Sequence, residues 1–212
     1  MLIATACCLR DNLVSVKIIG KKMNQATVRQ LLAEPDPEQE IPEGDWKRAA
    51  VLAIFLPGRN GDEILFTRRT DTVLDHKGQV SFPGGAVEFE DASLEATALR
   101  EAQEEIGLDA QEVTLLGRSK EVFTISSWWI TPVVGWISKI DGFILNPTEV
   151  SRVFTLPVDW LSQPTSWKKR TYIIDDRIRE NVIFYHQYDG EVLWGVTAMM
   201  VHDLLRKLKL ME

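Results

Sequence analysis

The chain has 212 residues, 45% of them hydrophobic and 26% charged, with a formal net charge of −7. A chain this apolar buries enough surface to offset its ordering entropy, which excludes disorder and suits one substantial core with a small appendage. The acidic balance excludes broad steering toward nucleic acid or an anionic membrane, so a polyanionic substrate has to be gripped by local cations or bound metal.

The only cysteines, Cys7 and Cys8, are adjacent, which leaves no disulfide framework and points to a reducing, cytoplasmic setting. Residues 1–9 are apolar, but no basic residues precede them and charged residues follow through Lys22. They read as a short strand or frayed start, not as a leader or a membrane span. A helical segment is expected near 27–32, followed by a proline and acid stretch through Pro35, Pro37, Pro42 and Gly44 that no helix or central strand tolerates. Residues 1–46 are therefore read as an extension and linker, and 47–212 as the main domain.

Two short apolar runs, 48–56 and 63–68, flank Pro57-Gly58-Arg59-Asn60-Gly61 and predict a hairpin. Residues 79–82 are extended and stop at Pro83-Gly84-Gly85, after which 92–106 is rich in Ala, Leu and Glu and ends at Gly107, which predicts a helix. Residues 113–123 and 128–138 read as strands and 148–153 as a helical turn or two. A further antiparallel pair is expected over 169–175 and 182–188, then a closing helix over 195–208. The order predicts an α+β domain, with helices packed on a mixed central sheet.

The chemistry concentrates in Arg100-Glu101-Ala102-Gln103-Glu104-Glu105-Ile106-Gly107. With about 100° per residue, Glu105 falls about 40° to one side of Glu101 and Glu104 about 60° to the other. The three carboxylates share one face, expected to be exposed, while Leu99, Ala102 and Ile106 lie on a separate apolar side. Like charges so close repel unless solvent or a cation sits among them. Oxygen-preferring ions such as Mg²⁺ or Mn²⁺, which complete their shells with water and substrate phosphate, suit this set. An ordinary solvated helix face accounts for the same pattern. Gly84 and Gly85, lacking Cβ atoms, allow another group to come close to the backbone just upstream.

The stretch from Gly85 to Leu108 resembles the Nudix box: a Gly, five residues, a Glu, seven residues, Arg-Glu, an apolar residue, any residue, Glu-Glu, any residue, Gly and an apolar residue. Arg100 to Leu108 fits its second half fully. The first half departs, since Asp91 replaces the Glu and eight residues, in place of seven, separate it from Arg100. That departure is similar to the coenzyme A diphosphatase branch, whose upstream signature resembles Ile64-Leu65-Phe66-Thr67-Arg68-Arg69 and His76-Lys77-Gly78-Gln79-Val80-Ser81-Phe82-Pro83-Gly84-Gly85. Leu74 stands where that branch often has Arg, and Ser127 where Gly usually follows Thr124-Ile125-Ser126. Resemblance continues through Asn146-Pro147-Thr148-Glu149-Val150 and Trp194-Gly195-Val196-Thr197-Ala198, covering about residues 48–208.

The resemblance implies a Nudix fold, an α/β/α sandwich with a box loop-helix and a C-terminal helix, and metal-dependent hydrolysis of a diphosphate. It implies that Glu101, Glu104 and Glu105 bind Mg²⁺ or Mn²⁺, that one of them accepts a proton from water, and that Arg100 orients a box carboxylate. Arg69 and Lys77 are the expected phosphate contacts, with Gly84, Gly85, Thr124 and Ser126 lining the substrate. His76 is expected to shape its loop, Trp128, Trp129 and Trp136 to be core, and Glu121 or Glu149 to offer a carboxylate from outside the helix. The expected partner is a small-molecule diphosphate, coenzyme A or its derivatives ahead of ADP-ribose or a dinucleotide, with no nucleic acid or membrane and with a homodimer compatible. A catalytically silent Nudix-fold binding domain is a third reading, disfavoured by the intact Arg-Glu and Glu-Glu pairs.

Overall fold

A computed structural model describes residues 22–36, 40–70, 78–139, 142–174 and 177–212. The elements, in chain order, are α1 (Gln25–Ala33), β1 (Lys47–Pro57), β2 (Asp62–Arg69), β3 (Val80–Ser81), β4 (Gly84–Ala86), α2 (Leu94–Ile106), β5 (Thr114–Arg118), β6 (Val122–Phe123), β7 (Trp128–Trp136), β8 (Val150–Pro157), α3 (Val158–Leu161), β9 (Trp167–Ile174), β10 (Arg177–Tyr185) and α4 (Gly195–Lys207). Among the described residues no helix is long and apolar enough to cross a membrane.

β1 is the organising strand. It turns back into β2, runs parallel to β7 from Lys47↔Trp128 to Phe55↔Trp136, and pairs antiparallel with β4 at Ala49↔Ala86, Ala50↔Gly85 and Val51↔Gly84. β2 extends the sheet to β3 and β8. Successive side chains of a strand point to opposite faces, and β1 buries both. Ala50, Leu52 and Ile54 meet Ala98, Ala102 and Ile106 of α2. Ala53 and Phe55 belong to a second core with Val28 and Leu32 of α1 and Ala198, Val201 and Leu205 of α4. Helices thus cover both faces of one mixed sheet, as expected of an α/β/α sandwich. β9 and β10 form a separate two-stranded hairpin against α4.

Three local expectations fail. Residues 148–153 were expected to be helical, but only a turn forms before β8 begins at Val150. The Asn146 Oδ1 takes the Thr148 N–H and hydroxyl at 3.1 and 2.7 Å, an Asx-type turn that ends the helical tendency, and the β-branched residues beyond it pair with β2. The strand expected over 113–123 divides into β5 and β6, because Pro132 on β7 has no N–H to offer and the Ser119 N–H bonds its carbonyl at 2.9 Å as the ladder breaks. Of the three tryptophans expected in the core, only Trp136 is buried. Trp128 and Trp129 are half-buried at the strand's start, beneath the cations of Lys47 and Arg48.

Candidate active site

α2 starts where the Ser93 hydroxyl accepts the Ala96 N–H at 3.2 Å and stops at Gly107 in the left-handed conformation. Its apolar side is Ala98, Ala102 and Ile106, with Leu99 only partly buried. At its first turn Glu95 takes a two-pronged bond from Arg118 of β5 at 2.7 and 2.8 Å. The helix lies against β4, where Gly84 is sterically required by β1 and Gly85 by the present position of one carboxylate. A Cβ on Gly85 would stand 2.4–2.6 Å from the Glu101 carboxylate, and one on Gly84 would stand 2.5 Å from the Ala50 carbonyl oxygen. Gly84 therefore lets β4 lie close on β1, and Gly85 leaves the Glu101 carboxylate its place beside β4.

Arg100 collects the acidic groups. Its Nε and Nη2 donate to the two oxygens of Asp91 at 3.0 Å each, its Nη1 to Glu101 and Glu104 at 3.0 and 3.2 Å, and its Nη2 also to the Ala86 carbonyl at 2.9 Å. Asp91 further accepts the Glu88 N–H and the Thr97 hydroxyl, both at 2.9 Å. The Arg100 guanidinium, more than these two donors, holds the Asp91 carboxyl far below the usual carboxylate range. Asp91 therefore fixes Arg100 despite the changed residue and spacing.

The acidic face is not uniformly exposed, contrary to expectation. Glu104 is exposed, but Glu105 is only 3% exposed because it turns toward the sheet. Burial pushes the Glu105 carboxyl up to about 8, with Glu101 and Glu149 adding to the rise, while the Arg69 cation and the Gly84 N–H oppose it. Burial also raises Glu101, against the hydrogen bond from Arg100. Arg69 Nη1 stands 3.8 Å from Glu105 Oε1, outside hydrogen-bond reach. The buried Glu105 Oε2 and Arg69 Nε have no hydrogen-bond partner among the described residues.

Glu149 joins this group from outside the helix. The Asn146 amide donates to it at 3.1 Å, and the Asn146 N–H bonds the Glu105 carbonyl at 2.9 Å, so one turn is fastened to the end of α2. Glu121 is differently engaged: it accepts Trp129 Nε1 and the Thr131 hydroxyl at 2.7 Å each and Arg48 at 3.3 Å. Its oxygens are spent inside a network in which the Arg48 guanidinium lies 3.7 Å over the Trp129 ring.

Thr124 and Ser126 bond each other at 3.1 Å, and the Thr124 hydroxyl accepts the Trp128 N–H at 3.1 Å. No described hydrogen bond ties them to the box carboxylates. Ser127 adopts φ 60, the left-handed conformation that glycine takes most easily. Lys77, His76 and Leu74 lie outside the described residues. Asp91 and Asn146 are the site residues that the sequence pattern does not single out: the first stands off the box spacing, and the second is legible only as the start of an Asx turn.

The donor set fits a hard divalent cation. It is all oxygen, carries mutual repulsion, and includes a buried carboxylate oxygen with no partner among the described residues. Among the described residues no three acidic, imidazole or thiolate groups are drawn into a closed ligand set, and Mg²⁺ in particular needs only one or two carboxylates beside waters and substrate phosphates.

Residues 46–177 match the NUDIX domain family model. A Photorhabdus laumondii protein described as an uncharacterized Nudix hydrolase, NudL, is 31% identical over 176 residues, covering 82% of this chain and 91% of that protein. A Yersinia pestis protein of the same description is 32% identical over 205 residues, covering 93% of this chain and 100% of that one. Among solved structures, a MutT/Nudix family protein from Enterococcus faecalis aligns with a TM-score of 0.51 at 15% identity, over 81% of this chain and 65% of that one, a likeness of fold alone.

Proposed function

This chain belongs to the Nudix hydrolase family, and we propose that its reaction is hydrolysis of the diphosphate bond of coenzyme A or a derivative, releasing 3′-phosphoadenosine 5′-phosphate and a 4′-phosphopantetheine product. The observation that carries this reading is the approach of Arg69 to within 3.8 Å of Glu105. Arg69 ends the stretch that resembles the coenzyme A branch, and Glu105 is the most buried of the box carboxylates. A guanidinium with unspent donors beside the acidic cluster suits a substrate phosphate.

In this reading Glu101 and Glu105 hold Mg²⁺ or Mn²⁺, with Glu104 and Glu149 as further oxygen donors. Such an ion, when bound, neutralises phosphate oxygens and lowers the pKa of bound water. The protein's own residues do the positioning. Arg100, fixed by Asp91, presents Glu101 and Glu104 in set orientations, and Gly84 and Gly85 keep the backbone low enough for the diphosphate to approach. Arg69 and Lys77 steady the outer phosphates, and Thr124 and Ser126 line the remainder of the substrate.

The test is turnover by the purified full chain with Mn²⁺ on coenzyme A, ADP-ribose and reduced nicotinamide dinucleotide in parallel. Selective release of 3′-phosphoadenosine 5′-phosphate is the expected result. Equal turnover of all three, or turnover that spares coenzyme A, overturns the substrate assignment.

A further inference from the structure

The two faces of the β9–β10 hairpin differ in kind. Alternate side chains of a strand share a face, and one face here is core: Ile183 and Tyr185 are buried, and Trp167 packs on His202 of α4. The other face combines rings with cations. The pairs Lys168↔Phe184, Arg170↔Val182 and Tyr172↔Arg179 lie on it. Trp194, bridged to Phe184, widens it, with its ring stacked on Phe184 at 5.2 Å between centroids and Tyr172 leaning on it at 5.0 Å. Tyr172 is 37% exposed, and Lys168 and Arg170 are exposed beside it. The Arg170 guanidinium lies 5.1 Å over the Phe184 ring. In a chain of net charge −7, none of Lys168, Arg170 and Arg179 has an acidic partner among the described residues.

This face stands beside the strand end that carries Arg69. Glu191 accepts from Arg152 of β8 at 3.0 Å and pairs with Arg68 of β2 at 3.5 Å. The Thr197 hydroxyl donates to the Val80 carbonyl of β3 at 3.1 Å. Trp194 is three residues from each of these fastenings, so no more than about 10 Å of chain separates it from either. Arg68 is the neighbour of Arg69, whose N–H bonds the Gln79 carbonyl at 3.0 Å. Residues 178–195, which supply Arg179, Phe184 and Trp194, also lie beyond the part of the chain that matches the family model. Features that select one diphosphate over another belong outside the shared framework.

Resting on the coenzyme A reading above, we propose that this face is the subsite for the adenosine 3′-phosphate end of the substrate, with the base stacked on the Tyr172 and Trp194 rings and the 3′-phosphate held by Lys168 and Arg170. Rings take the face of a base without reading its edge, and a guanidinium lying flat on a ring keeps its N–H groups at the rim for phosphate oxygens. A diphosphate without a 3′-phosphate leaves both cations unused, so the subsite favours coenzyme A over ADP-ribose.

Calorimetric titration of the full, metal-free chain with 3′-phosphoadenosine 5′-phosphate and with adenosine 5′-monophosphate reads the subsite without turnover. The first ligand is expected to bind at least about tenfold more tightly. K168Q/R170Q brings it down to the level of the second, K168R/R170K keeps the preference, and Y172A weakens both ligands, each variant unfolding thermally as the wild type does. In assays with Mn²⁺, K168Q/R170Q is expected to raise KM for coenzyme A about tenfold with kcat little changed. Equal binding of the two ligands by the wild type, or wild-type binding and KM in K168Q/R170Q, overturns the subsite even where coenzyme A is hydrolysed. A chain that shows the binding preference and its loss in K168Q/R170Q, yet spares coenzyme A in turnover, upholds the subsite and overturns the substrate assignment instead.

Discussion

At the scale of single residues, the site depends on one guanidinium that serves three carboxylates. Asp91 takes two of its N–H groups, which leaves Nη1 aimed at Glu101 and Glu104. Asp91→Asn removes the charge and one acceptor while keeping the shape. Turnover is expected to fall about 10- to 100-fold, the usual cost of losing a group that orients a ligand, with little change in thermal unfolding. A drop in stability large enough to account for the lost activity would make Asp91 a folding residue instead. Glu105 calls for the opposite comparison. Because it is buried and raised to about 8, Glu105→Gln is expected to leave the metal-free fold intact at neutral pH, where the native side chain is itself largely protonated. Turnover should fall at least about a hundredfold, since several kcal/mol of charge stabilisation are lost with the ligand. Steady-state kinetics beside a melting curve of the metal-free variant reads both effects.

At the scale of elements, the loop from Thr124 to Ser127 shows a backbone demand met by an unfavoured residue. Ser127 sits at φ 60 and gives its carbonyl to the Lys47 N–H at 2.9 Å, which joins the starts of β1 and β7. Ser127→Gly relieves the left-handed strain and is expected to raise stability by roughly 0.5 kcal/mol, whereas Ser127→Val, β-branched at positive φ, lowers it by more than about 1 kcal/mol. Urea unfolding of both variants checks the pair, and a destabilised glycine variant would mean that the serine side chain matters more than the backbone. The regular elements were legible because their patterns are periodic: β1 alternates between two cores, and α2 has a capping Ser93 and a terminal Gly107. The failures have local causes of another kind. Glu105 looks exposed on a helical wheel because a wheel cannot show that β4 lies close enough for the Gly84 N–H to reach its carboxylate. The division of β5 from β6 follows from a proline on a strand that meets them only through the fold, and the turn ahead of β8 from an asparagine side chain competing for the backbone. Arg69 and Glu149 lie at one end of the antiparallel β2–β8 ladder, where Arg69↔Val150 is the terminal pair. Their meeting with Glu105 depends on strand register, which a linear pattern does not contain.

At the scale of the whole molecule, two buried groups pull stability in opposite directions as pH changes. His202 packs edge-on to Trp167 with ring centroids 4.7 Å apart, its Nε2 has no partner among the described residues, and burial lowers its pKa below the ordinary 6.5. Asp203 opposes that shift, while Arg206 and Lys169 reinforce it. A depressed histidine binds fewer protons folded than unfolded, so its effect is absent above 6.5 and stability drops as pH falls below it. Glu105 behaves the other way. Its folded value, about 8, exceeds the ordinary 4.5, so the folded state holds the extra proton and stability is lost as pH rises from about 4.5 through about 8. In metal-free protein the two slopes oppose each other below 6.5, and above it only the Glu105 slope remains. Chelated protein is therefore expected to melt at a lower temperature at pH 8 than at pH 6.5. Adding Mn²⁺ should reverse the order, because a ligating carboxylate must shed its proton and binding strengthens as pH rises. Glu105→Gln flattens the chelated profile above 6.5, and His202→Phe flattens the limb below it. If the chelated wild type were as stable at pH 8 as at 6.5, Glu105 would already be charged without metal, and a solvated helix face would be the better description of that carboxylate.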